Sequence, residues 1–257
     1  MKYFVILLLI ITNVPLVNAQ VLNVENLRSE KDSTGFSGSI ALNINLIKNT
    51  KNIFSLGNTN YIQYKKHRHL LFFISDVSYK KVDSEAIVDR GTYHLRYNYD
   101  LNDWLVLEAF GQSYNNSISL IDRRQLAGGG TRFKLETRDN YKMFLGAIFM
   151  YEYEKEDYSN EMLQKNFIYH YDYRMSSYFT FTYFPNENLA FKTTTFYQPR
   201  LDKFSDYRIN SYNSLTIKLI GKLALSITYI LSYDTEPAIS IPTTQYELLN
   251  GIVYTFD

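Results

Sequence analysis

Between Asn166 and Phe184 two kinds of residue alternate almost without a break. The odd positions are Phe167, Tyr169, Tyr171, Tyr173, Met175, Ser177, Phe179, Phe181 and Tyr183; between them come Ile168, His170, Asp172, Arg174, Ser176, Tyr178, Thr180 and Thr182. Successive side chains of a strand point to opposite faces, so one face here is an aromatic stripe and the other is mostly polar and charged. The run far exceeds the roughly 5–6 residues of an ordinary strand. A strand that crosses a bilayer needs this pattern, with lipid on one side and a wet lumen on the other.

The same period predicts twelve strands: Phe36–Leu46, Ile53–Tyr64, Leu70–Tyr79, Val88–Tyr99, Trp104–Tyr114, Ile121–Leu135, Lys142–Tyr153, Asn166–Phe184, Leu189–Gln198, Tyr207–Ile220, Lys222–Asp234 and Thr244–Phe256. The connections alternate in length. Short ones fall at Lys65–His69, Asp100–Asp103, Glu136–Tyr141, Pro185–Asn188 and Gly221. Long ones fall at Lys80–Ile87, Asn115–Leu120, Glu154–Lys165, Pro199–Asp206 and Thr235–Thr243. Outer-membrane barrels have short periplasmic turns, longer outer loops and an even strand number. With both termini periplasmic the long loops lie outside, Lys48–Asn52 being a short exception. The expected fold is all-β, a transmembrane antiparallel up-and-down β-barrel of about twelve strands.

The N-terminus adds a destination. Lys2, the largely apolar Phe4–Val17 and the Val17-Asn18-Ala19 site read as a secretory signal peptide over 1–19, leaving 20–257 as one barrel domain with strands from about residue 36. The apolar core is shorter than the ~20 residues of a spanning helix. Cys is absent, which removes disulfides, thiolate metal clusters and a cysteine nucleophile. Net charge is +1, which gives no bulk attraction to nucleic acid. Tyr and Phe, 24 and 17 in number, suit pleated surfaces and membrane interfaces. Tyr97, Tyr99, Trp104, Tyr141, Tyr183, Phe184, Tyr254 and Phe256 are expected in a girdle at the periplasmic edge. Gly251, Tyr254 and Phe256 have the spacing of the C-terminal signal that such barrels present to the barrel-assembly machinery. Outer-membrane lipid and lipopolysaccharide are the other expected partners, and the expected state is a monomer.

Chain-wide parity points His94, Arg96, His170, Asp172 and Arg174 into the lumen, with Arg124, Arg132, Glu152 and Glu154 joining them. Opposite charges in a narrow interior pair and fill space; a selectivity ring or ligand site is the other use of such a cluster. Enzymatic chemistry has thin support. His94 or His170 would have to combine with Ser113, Ser119 or Ser176, and no G-x-S-x-G elbow is present. The His67/His69 pair sits among Lys65, Lys66 and Arg68, as in a basic turn. Glu152, Glu154, Glu156 and Asp157 read as a solvated acidic loop, and Gly128–Gly130 as space for aromatics of a neighbouring strand. No metal or other cofactor is expected. The leading reading is a non-enzymatic barrel, structural or a narrow channel; the alternatives are a membrane-embedded hydrolase or a soluble periplasmic β-protein that binds an apolar ligand.

Several segments carry a resemblance: Trp104–Gln112, Arg123-Arg124-Gln125-Leu126-Ala127-Gly128-Gly129-Gly130, Leu145-Gly146 through Tyr151-Glu152-Tyr153-Glu154, Tyr197-Gln198-Pro199, Asp206-Tyr207-Arg208, Ser232–Pro237 and Gly251–Phe256. In these the chain resembles the salt-induced outer-membrane protein family built on domain of unknown function 481. The resemblance implies an outer-membrane barrel and transfers no active site.

Overall fold

The computed structural model describes residues 34–48, 52–83, 85–158 and 166–256. The signal-peptide segment 1–19 lies outside them. Every period-2 segment forms a strand: β1 Gly35–Lys48, β2 Asn52–Lys66, β3 His69–Val82, β4 Glu85–Asp100, β5 Leu105–Asn116, β6 Ile121–Thr137, β7 Tyr141–Asp157, β8 Phe167–Asn186, β9 Leu189–Pro199, β10 Tyr207–Ile220, β11 Leu223–Asp234 and β12 Thr244–Phe256. Each pairs antiparallel with its neighbour in sequence, and β12 pairs with β1 to close the cylinder. Closure matters because an open edge in hydrocarbon would leave backbone N–H and C=O groups without partners.

The pleat sorts the side chains. On β4, Thr92, His94, Arg96 and Asn98 are buried while Tyr93, Leu95 and Tyr97 face outward. On β8, Tyr171 and Tyr173 are 63 and 65% exposed, whereas Arg174 between their stripe and the next is 2% exposed. An apolar exterior of this extent wraps the whole wall, which is a lipid-facing surface. Two polar islands interrupt it: on β2 and β3 Asn60 donates to Asn58 at 2.5 Å and to Ser75 at 3.0 Å, and the other lies on β9 and β10. There Thr193 donates to Asn213 at 2.8 Å, Thr195 and Ser211 lie 3.1 Å apart, and Asn213 donates to Ser211 at 3.3 Å, so the group satisfies its own hydrogen bonds.

Four expectations change. Glu152, Glu154 and Glu156, read with Asp157 as a solvated acidic loop, are buried on β7, which runs to Asp157, because their parity turns them toward inward arginines. The segment Lys80–Ile87 is largely strand: Lys80 pairs with Val88, Lys81 with Ala86 and Val82 with Glu85. Hairpins that continue past the membrane meet water on both faces and lose the alternating signal. Asn115–Leu120 shrinks likewise to a 3₁₀ turn, Ser117–Ser119, capped by the Asn116 side chain accepting from the Ile118 N–H. Phe184 has luminal parity at the short-turn rim, with the Lys142 ammonium 5.9 Å from its ring centre, and does not join the girdle. Tyr97, Trp104, Tyr183 and Tyr254 do face outward near that rim, and Trp104 stacks on Phe133.

Candidate functional site

The lumen is stacked in three layers, and the strand directions fix which residue reaches which. Toward the long-loop rim β7 and β8 bring Glu152 opposite Asp172, both pointing inward. The Arg208 guanidinium on β10 donates to both Glu152 oxygens at 2.8 and 2.9 Å and to Asp234 at 2.8 Å. Arg174 lies 3.4 Å from Glu152, donates to Asp206 at 3.0 Å, and sits 3.7 Å from Asp172. Arg124 is ion-paired to Glu154, which Arg208 also approaches at 3.7 Å. Arg200 extends the chain to Asp172 at 3.3 Å and Asp206 at 3.2 Å. His170 stands at the rim, 3.5 Å from Glu156. Each buried charge therefore has an opposite charge in reach, the arrangement that makes desolvation tolerable.

Above this layer the loops carry three perturbed groups. The Asp202 carboxyl is held below its ordinary value by hydrogen bonds from Arg200, whose own pKa is raised by the same bonds. Desolvation, and then its hydrogen bond to Glu156, push the Tyr158 hydroxyl up to about 12.

Toward the short-turn rim a second polar layer holds Arg96, Glu108, His94 and Arg132. Glu108 accepts from Arg96 at 3.3 Å and from the Tyr178 hydroxyl at 2.7 Å. The Arg96 Nε donates to His94 Nε2 at 3.3 Å, which makes Nδ1 the protonated nitrogen, donating to Gln112 at 2.9 Å. The imidazole is flanked by the rings of Phe72 and Phe110. The Arg132 guanidinium lies 3.9 Å from the Phe144 ring centre.

An apolar layer separates the two. Ile148, Tyr178, Phe196, Tyr212 and Ile230 form one buried cluster, with Phe110 and Leu249 packed against it. The rings of Tyr178 and Phe196 are 5.3 Å apart, and Tyr212 meets Phe196 edge-on at 6.4 Å. Gly146 makes the layer possible, since a Cβ there would collide with the Tyr178 ring. Gly128 gives room in the same way, its hypothetical Cβ falling 2.9 Å from Phe110 and 2.8 Å from Met150. Small spaces remain between these side chains. One of about 50 Å³ lies between Arg124, Arg208, Asn210, Ser232 and Gln245, and one of about 30 Å³ between His94, Gln112, Ile148 and Phe196. Each is of the order of one or two water molecules. Among the described residues no three His, Asp or Glu side chains are grouped to hold a metal ion.

The structure thus divides the predicted cluster. Arg124, Glu152, Asp172 and Arg174 meet in one network with His170 at its edge; His94, Arg96 and Arg132 lie beyond the apolar layer. Sequence reasoning missed Arg208 and Asp206, which join the first network, and Glu108, which anchors the second layer; Arg208 and Asp206 stood only as part of a motif, although the parity of β10 points Arg208 inward. At the C-terminal strand, Tyr254 faces lipid opposite Ile40, the Phe256 ring lies over Gly38, and Gly251 lies against Asn43.

Closed antiparallel topology, outward apolar wall and inward polar layers define a transmembrane up-and-down β-barrel. The chain belongs to the protein family of unknown function DUF481, whose model matches residues 29–256. No curated protein matches it in sequence. Among solved structures it is similar to the translocator domain of the autotransporter NalP from Neisseria meningitidis, with TM-score 0.55 and 9% identity over 90% of this chain and 91% of that one. It is also similar to an outer-membrane channel from Pseudomonas putida F1, with TM-score 0.52 and 11% identity over 92% of this chain and 100% of that one. At these identities the likeness is one of fold.

Proposed function

We propose that this is a non-enzymatic barrel of the bacterial outer membrane whose role is structural, its axial lumen closed by its own side chains. The observation that carries the reading is the buried layer of Ile148, Tyr178, Phe196, Tyr212 and Ile230 spanning the interior between two ion-paired layers. By size, about eight strands fill with side chains and sixteen leave an aqueous channel; twelve strands with this filling fall on the occluded side. Export by the 1–19 signal, insertion guided by Gly251, Tyr254 and Phe256, a monomeric state, and contact with lipid and lipopolysaccharide complete the proposal. The hydrolase alternative finds no support in His94, whose two nitrogens are engaged by Gln112 and Arg96. The lipid-facing wall removes the basis for a soluble periplasmic protein.

Planar-bilayer recording of the refolded protein tests the proposal. The expected record is silent, from a barrel that migrates faster unheated than boiled in detergent gels. Discrete, salt-dependent current steps would make it a narrow channel instead, with the charged layers as its filter.

A further inference from the structure

The turn between β2 and β3 carries a charge that neither the lumen nor the wall uses. Lys65, Lys66, His67, Arg68 and His69 follow one another with no acidic residue among them. The two strands stay paired up to Lys66↔His69, so only His67 and Arg68 form the loop and none of the five reaches far from the wall. Lys66, His67, Arg68 and His69 are all exposed. Gln63 and Leu70 are buried, so parity turns Lys66 and His69 to the lipid-facing side.

This corner is not neutralised from within. Lys66 and His67 have no ion-pair partner among the described residues, and Arg68 donates to a carbonyl, that of Leu101 at 3.5 Å. On the neighbouring turn Asp100 is already bound to Lys134 at 2.9 Å, and Asp103 forms no ion pair among the described residues. Lys66 and Arg68 therefore repel each other with no fixed anion between them.

Aromatic rings set the depth of the cluster. Tyr64 and Tyr97 face outward, 40 and 41% exposed. The Tyr64 ring lies 4.7 Å from that of Phe36. The Tyr97 hydroxyl is 2.6 Å from His69 Nδ1, and the Tyr99 ring is 5.1 Å from the same imidazole. Such amphipathic rings settle at headgroup level. Cations one or two residues beyond them stand where lipid phosphates lie, and a two-residue loop holds them there instead of projecting them toward a polymer outside the membrane. Basic clusters at this depth attract anionic lipid.

We infer that the β2–β3 turn is a docking site for an anionic phospholipid, with Lys66 and Arg68 on its phosphate and its acyl chains on Tyr64 and Leu71, which face each other across the two strands. Placing that lipid in the periplasmic leaflet rests on the proposed orientation, in which the short turns face the periplasm.

The test uses the full chain with its one tryptophan moved. Trp104 is the only Trp and Leu71 is lipid-facing, so a Trp104→Phe/Leu71→Trp variant carries a single fluorescent reporter beside the turn. It is refolded in vesicles of phosphatidylcholine and phosphatidylglycerol, with bromine on the chains of one lipid or the other as quencher. Each cation at the surface favours an anionic lipid by about fivefold, so phosphatidylglycerol should outcompete phosphatidylcholine at the reporter by at least that factor. Adding Lys66→Gln/Arg68→Gln should bring the two lipids to equal affinity and leave the heat-dependent gel shift of the folded barrel unchanged. Equal quenching before the substitutions would overturn the inference, as would a preference that survives them. A reporter quenched by neither lipid, with no gel shift, would overturn the membrane barrel and the docking site with it. The leaflet is tested apart, in a chain with no native cysteine. A His67→Cys variant should stay unlabelled on intact cells by a maleimide too large for outer-membrane channels; labelling would overturn the periplasmic assignment and leave the phosphate site standing.

Discussion

The interface of β7 with β8 and that of β1 with β12 are built from strands of the same kind, yet they differ in almost every physical respect. The first has 17 register pairs, from Tyr141↔Tyr183 to Asp157↔Phe167, and its inner face carries Glu152, Asp172 and Arg174 bound into a charge network. The second has five pairs and ends on a side chain wedged between strands. β7 and β8 follow each other in the chain, so pairing them closes only a short loop. The seam between the first strand and the last must instead close the whole length of the chain. The difference teaches that cohesion in this wall is concentrated where inward charges cross-brace several strands, and that it thins where the chain ends meet.

The sharpest way to break the comparison is to remove the brace. Glu152→Ala takes the shared acceptor from Arg174 and Arg208, leaving two buried guanidinium groups short of a partner. Removing one member of a buried ionic group costs about 3–5 kcal/mol, which urea unfolding of vesicle-inserted protein should read as a large fall in midpoint. At the seam, Ile252→Ala removes lipid-facing methylenes at roughly 0.8 kcal/mol each, so its cost should stay near ~2 kcal/mol. Equal losses at the two sites would show that the charge network adds no cohesion beyond ordinary wall contacts.

A smaller effect isolates the apolar layer. Gly146→Val drives a branched Cβ into the Tyr178 ring and should cost about 1–3 kcal/mol as overpacking. In a Tyr178→Ala background the same change should cost much less, because the obstacle is gone. The non-additivity of the pair, measured by the same unfolding assay, is the coupling energy. Additive losses would mean that Gly146 matters for its backbone and not for the space it leaves.

How far the sequence could be read follows the same division. Period-2 alternation assigned twelve strands because each strand has one face in lipid, and it pointed Glu152, Asp172 and Arg174 inward correctly. Parity gives the face of a residue but not its depth. It could not tell that Tyr178 and Phe196, aromatic on a face that also carries Arg174 and Lys192, would meet at mid-lumen. Nor could it separate His94 and Arg96 from the Glu152 network, since the layer between them comes from strands far apart in sequence. Charged Lys80 and Lys81 looked like loop because a hairpin in water needs no apolar face. The seam was illegible for the most basic reason: nothing local to Asn43 says that Gly251, some two hundred residues on, will stand beside it.

The smallest effect lies at the outer rim, where solvent screens charge. Arg200 is hydrogen-bonded to Asp202 at 2.8 and 3.0 Å and reaches Asp206 at 3.2 Å. These bonds hold the Asp202 carboxyl below the 3.8 of an ordinary aspartate. A carboxyl depressed in the folded state adds stability that is present above its unfolded value, near pH 4, and is lost as pH falls through the lower folded value. Asp202 is solvent-exposed, so the contribution is slight, but its titration is directly visible. Carbon NMR of the side-chain carboxyl in detergent-held protein should give a midpoint below that of an unstructured aspartate. Arg200→Ala should return it to the ordinary range without moving the unfolding midpoint set by the Glu152 brace. A midpoint unchanged by that substitution would mean that the rim pair does not form in solution, and that the network of ion pairs stops at Arg174 and Asp206 inside the wall.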